Sequence, residues 1–90
     1  MAALPKLSPE AITVLRVTLD NKIIRGGELM RYAGMTNATE LAGPVRELVS
    51  QNLIQVSGDI SAEMLPFATF GTRPSDYQYL RFLLDQAPTA

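Results

Sequence analysis

From Ser8 onward the apolar positions fall at helical spacing: Ile12, Leu15 and Leu19 recur at three and four, with Val14 and Val17 widening the face. Ser8-Pro9-Glu10 is a helix start. Ser can cap, Pro suits the first helical position, and Glu favours the positive end of the helix dipole. Asp20-Asn21 closes the run, so a first helix is expected over 8–20. In "NKIIRGG", the β-branched Ile23 and Ile24 lie between turn residues and fit a very short strand or an extended linker. Gly26-Gly27 then reads as a break. Glu28 to Ala33 makes a short second helix with Leu29, Met30 and Ala33 inward, ended by Gly34 as its C′ residue.

A third helix starts near Asn37 or Thr39, both good caps. Leu41, Val45 and Leu48 repeat at four and three, with Ala42 and Val49 beside them. Pro44 is awkward there, because inside a helix it removes a donor and clashes with the preceding turn at about 3 kcal/mol. Two arrangements accommodate it: a helix starting at Gly43 with Pro44 at its first position, or a first turn that kinks at Gly43-Pro44.

Leu53 to Val56 alternates and reads as a strand, followed by the turn Ser57-Gly58-Asp59. Its partner is expected at Phe67 to Phe70 rather than Ile60 to Met64, because Pro66 suits a loop over 58–66. Pro, Ser and Asp open a last helix over 75–86, with Tyr77, Leu80, Leu83 and Leu84 toward the core. The domain is thus expected over 8–86, with 1–7 and 87–90 as loose termini.

Composition narrows the function more than it names it. The chain has 90 residues, 47% hydrophobic and 19% charged, enough for one small domain. With no Cys and no His there is no disulfide, no thiolate or imidazole metal ligand, and no histidine base. Carboxylates are scattered, Ser and Thr have no His partner, and Gly26-Gly27 lacks the Lys-Ser/Thr of a phosphate-binding loop. An enzyme is not expected, nor is a cofactor. Residues 1–7 lack the apolar stretch of a signal peptide, and no apolar run approaches the roughly 20 residues that cross a bilayer, so a soluble cytoplasmic protein is expected. Net charge is -1, so the general attraction of a basic protein for nucleic acid is missing.

The order helix, short strand, helix, turn, helix, two-stranded wing, helix resembles the winged helix-turn-helix superfamily, including small bacterial regulators of the MarR and PadR kinds. "GGELMRYAGM" (26–35) matches the pattern of the second helix and its glycine turn. "LAGPVRELVSQNLI" (41–54) looks like the end of the third helix entering the wing, with Asn52 in place of the usual Gly. Asn tolerates positive φ, which keeps the backbone logic. The "SGD" turn is the third point of likeness. The resemblance spans nearly the whole chain. It implies an α+β, mostly α fold, with a three-helix core, a two-stranded wing and a C-terminal helix. It also implies a small transcriptional regulator that binds double-stranded DNA, acting as a homodimer.

Carried onto this sequence, the resemblance assigns Arg46, Ser50 and Gln51 to the groove-reading face. Thr36 and Asn37 fall to a phosphate at the helix start, and Lys22, Arg25, Arg31 and Arg73 to the DNA backbone. Charge argues the other way: from Thr36 to Ile54 there is one Arg against Glu40 and Glu47, and the wing loop carries Asp59 and Glu63. The alternative is a winged-helix module that binds a protein through its apolar wing, "MLPFATF", or through Tyr79 and Phe82 on the last helix. Within the wing, Phe67 or Phe70 is expected to plug the core beside Leu53. The surface field around the third helix discriminates the two readings.

Overall fold

The computed structural model describes residues 7–58, 60–61 and 63–86; the expected tail at 87–90 and nearly all of the expected arm lie outside them. Helix α1 (Pro9–Asn21) is followed by β1 (Ile23–Arg25), α2 (Gly26–Ala33) and α3 (Ala38–Ser50). Then come β2 (Gln55–Ser57), β3 (Thr69–Gly71) and α4 (Tyr77–Gln86), with single 3-10 turns at Leu65–Phe67 and Pro74–Asp76. The result is mostly helical, with a small three-stranded antiparallel sheet in the order β1-β3-β2. Phe70 is the central residue of both ladders, opposite Ile24 on one side and Val56 on the other.

Each helix start has a local cause. The Ser8 hydroxyl accepts from the Ala11 N–H at 3.2 Å and Pro9 occupies the first turn, so α1 begins where a proline costs least. Helix α2 begins two residues earlier than its sequence suggests, with Gly26 and Gly27 in its first turn. The reason is tertiary. The Gly26 N–H donates to the Ala68 carbonyl at 2.9 Å, and a Cβ on Gly26 would stand 1.8 Å from the Leu65 carbonyl oxygen. Only glycine lets the backbone come that close. Gly34 ends α2 at φ 74°, as its position after Ala33 implied.

The core gathers Val14 and Leu15 of α1, Leu29 of α2, Leu41, Val45 and Leu48 of α3, Phe70 of β3, and Leu80 of α4. Leu65 joins them fully buried, carried inward by its 3-10 turn. Of the two phenylalanines that could plug the core, Phe70 does so and Phe67 stays 74% exposed. The second strand of the hairpin therefore lies at 69–71, later than the expected 67–70, because Pro66 is absorbed in the turn before it. Leu7, assigned to the loose arm, packs against the core edge. No described helix is long and apolar enough to cross a membrane.

Pro44 resolves the question posed by α3. The helix runs from Ala38 to Ser50 with Pro44 inside it, capped by Asn37, so the late start at Gly43 is not used and helical residues precede Gly43-Pro44, as in the second arrangement. The lost donor leaves the Glu40 carbonyl without its usual partner four residues on. The Pro44 ring is buried in exchange.

Candidate nucleic-acid interface

At about 100° per residue, ten of the thirteen residues of α3 fall on three faces, with Ala38, Ala42 and Val49 half-buried between the core and outward ones. Leu41, Val45 and Leu48 point into the core and are fully buried. Glu40, Gly43, Pro44 and Glu47 form a side face, spaced i, i+3, i+4 and i+7. This face lines an open groove of about 810 Å³ shared with Ser8, Pro9 and Thr13 of the α1 start and Ala33 to Met35 at the end of α2. Thr39, Arg46 and Ser50 form the third face, opposite the core, and all three are exposed.

The two acids of α3 are therefore set off to one side and engaged there. Glu40 accepts from the Thr36 hydroxyl at 2.8 Å, the Thr36 N–H at 3.4 Å and the Asn37 side-chain amide at 3.3 Å. In return the Asn37 side-chain oxygen accepts from the Glu40 N–H at 3.0 Å. This is a variant of the capping box, in which the carboxylate reaches the Thr36 N–H and the Asn37 amide rather than the Asn37 N–H, and its sequence signal is the N-x-x-E spacing in "TNATE". Its chemical consequence is direct. Thr36 and Asn37, assigned to a phosphate, already face a carboxylate of their own chain.

Glu47 is engaged even more firmly. One of its oxygens accepts from the Ser8 N–H at 3.0 Å and the other from the Ser8 hydroxyl at 2.7 Å. Ser8 and Glu47 are 39 residues apart, so no local sequence signal marks the pair. Glu10 lines the same groove as Glu40 and Glu47. Among the described residues, however, no group of three acids converges as a metal ion would need.

Of the residues assigned to base reading, Arg46 and Ser50 stand on the outward face of α3, and Gln51 follows as its exposed C-cap. The Ser50 hydroxyl donates to the Glu47 carbonyl at 2.8 Å, which leaves its oxygen as an acceptor toward solvent.

The cations assigned to phosphates lie on separate elements. Lys22 sits in the turn after α1 at φ 65°, its ammonium 6.0 Å above the Tyr77 ring. Arg25 is exposed on β1 opposite Thr69, and Arg31 is exposed on α2. Arg73 is committed to the fold: its Nε donates to Asp76 and its terminal nitrogen to the Asn52 carbonyl, both at 2.7 Å. That contact braces the turn at Asn52, where φ is 58° and the chain leaves α3 for β2.

Exposed apolar side chains include Ile23 on β1 and Tyr32 on α2, besides those of the two stretches read as partner surfaces. Ile60, Met64 and Phe67, in the connection between β2 and β3, are 42%, 43% and 74% exposed. Tyr79 and Phe82 on α4 are 44% and 51% exposed, while Tyr77 packs partly against the core as its spacing implied. Asp59, one of the two acids of this connection in the sequence, lies outside the described residues.

No protein-family model matches the chain, and no curated protein or solved structure matches it.

Proposed function

We propose that the chain is a winged helix-turn-helix domain that binds double-stranded DNA, with α3 as the recognition helix and the β2–β3 connection as the wing. The strand order β1-β3-β2, interleaved with the first three helices, supports the fold assignment. The observation that carries the function is the sorting of charge on α3. Its outward face holds Thr39, Arg46 and Ser50, and its two acids are turned to the α1 side and bound by Ser8, Thr36 and Asn37. The face that would enter a major groove is therefore free of carboxylates, and the single Arg on it has no described ion pair. An arginine there suits guanine O6 and N7, and the serine oxygen suits an exocyclic amine.

A second reading rests on Phe67. A ring 74% exposed, in the same connection as the exposed Met64 and Ile60, suits a protein partner seated on the wing, in a role without DNA. One comparison separates the two readings: anisotropy of a labelled random-sequence duplex with the wild type, Arg46→Ala and Phe67→Ser. DNA binding through α3 requires the arginine variant to weaken affinity several-fold at low salt. Equal affinity for wild type and Arg46→Ala removes α3 as the reading helix.

A further inference from the structure

The outward face of α3 is a single straight row. At about 100° per residue, Thr39, Arg46 and Ser50 fall within about 40° of one another, and Gly43 lies at the edge of the row toward the side face. All four are exposed. Thr39 and Arg46 stand about 10 Å apart along the helix axis, and Ser50 stands about 6 Å beyond Arg46. Gly43 lies between the first two, where a Cβ would have nothing within 4 Å. Glycine therefore leaves the backbone bare midway along the row, and a surface can approach it closely there. The three side chains offer different chemistry. Thr39 presents a methyl and a hydroxyl, and Arg46 a fork of donors. The Ser50 proton goes to the Glu47 carbonyl, so Ser50 presents an acceptor.

We propose that this row sets the sequence preference of the domain, with Thr39 as a specificity-determining residue whose methyl packs on the C5 methyl of a thymine. The proposal rests on the DNA reading above and adds which bases are chosen and how far apart they lie. In the major groove thymine is the base that presents a methyl, and Thr39 brings a methyl on a side chain that is stiff at χ1. It does so in the first turn of α3, the end of a recognition helix that meets base edges. Glu40 beside it would favour cytosine, but it is held to Thr36 and Asn37. Base pairs rise about 3.4 Å along an axis around which the groove winds, so 10 Å of helix spans about two to three of them. Thymine at Thr39 and guanine at Arg46 are then about two to three pairs apart. About one or two pairs further on, the Ser50 oxygen faces the amine of adenine or cytosine.

Selection by the whole chain from a pool of randomised duplexes, at about 50 mM salt, tests it. The wild type should enrich thymine and guanine about two to three pairs apart. On the selected duplex, uracil in place of that thymine removes one methyl and should weaken binding about fourfold. Thr39→Ser should weaken binding by a similar factor and hold the thymine and uracil duplexes equally. Arg46→Ala should lose a preference for guanine of about tenfold, which Thr39→Ser keeps. Both side chains are exposed, and thermal melts by circular dichroism check that each variant is folded. A wild type that holds pool duplexes but enriches no such pair overturns the proposal and leaves the DNA reading standing. So does a uracil duplex held as tightly as the thymine one. A wild type that holds no duplex overturns both.

Discussion

The Glu47 carboxylate, in the middle of α3, holds both the backbone N–H and the hydroxyl of Ser8, the residue that caps α1. One acid thus completes the cap of one helix from the flank of another, and it turns its charge away from the outward face of α3. Hydrogen bonds to a charged acceptor contribute about 1.5–3 kcal/mol, and this site is only partly buried, so the lower end applies. Glu47→Ala is expected to lower the melting temperature by about 6–12 °C, and Glu47→Gln by less. In a double-mutant cycle with Ser8→Ala, the combined loss should fall short of the sum by more than about 0.5 kcal/mol. Additive losses would mean the two side chains do not meet in solution.

Gly26 and Gly27 look alike in the sequence and differ in the fold. A Cβ on Gly26 would lie 1.8 Å from the Leu65 carbonyl oxygen, whereas one on Gly27 has nothing nearer than the Pro66 oxygen at 3.7 Å. Gly26→Ala must displace backbone and should cost more than about 3 kcal/mol, enough to unfold a marginal small domain. Gly27→Ala should be neutral or stabilise by up to about 1 kcal/mol through helix propensity. Urea titrations of the two variants check the contrast. Equal behaviour would show that α2 does not approach Leu65.

Pro44 sits inside a continuous helix, where the missing donor and ring clash cost about 3 kcal/mol. Its ring is buried, so Pro44→Ala gives up about 1–2 kcal/mol of apolar burial. The helix term is larger. The variant should be more stable by about 1 kcal/mol and melt several degrees higher. A lower melting temperature would place Pro44 at a helix start instead.

Arg73 and Arg46 carry the same charge and should fail differently. Arg73 braces the Asn52 turn, so Arg73→Ala should reduce stability by about 1 kcal/mol, the loss of a partly exposed charge-assisted contact. Arg46 is exposed and should leave the melting temperature unchanged when replaced by Ala, while weakening DNA affinity. Melts and duplex titrations on both variants separate the roles. An Arg73 variant that melts normally but loses DNA would return Arg73 to the contact surface.

Much of this architecture is written in local signals. The Ser8-Pro9 start, the three-four spacing of Leu41, Val45 and Leu48, and Gly34 after Ala33 each placed an element within a residue or two. What escaped depends on distant partners. Gly26 reads as a break until the Leu65 carbonyl is seen above it, and Phe67 reads as a strand residue until Leu65 is seen filling the core in its place. On α3, the count of one Arg against two Glu was correct as a count. Counting does not record direction. The i, i+3, i+4, i+7 spacing of Glu40, Gly43, Pro44 and Glu47 held that direction, and only the Ser8 contact shows what the side face touches.

The central claim is that the outward face of α3 meets DNA, and a salt titration of binding to a random-sequence duplex tests it most directly. With Arg25, Arg31 and Lys22 as the available backbone cations, two to three phosphate contacts would give a log–log slope between about -2 and -3. Measurable binding at about 50 mM salt that weakens along such a slope is the result expected. Absence of binding at about 50 mM salt, where phosphate contacts still hold, would contradict the account and leave the exposed β2–β3 connection to a protein partner.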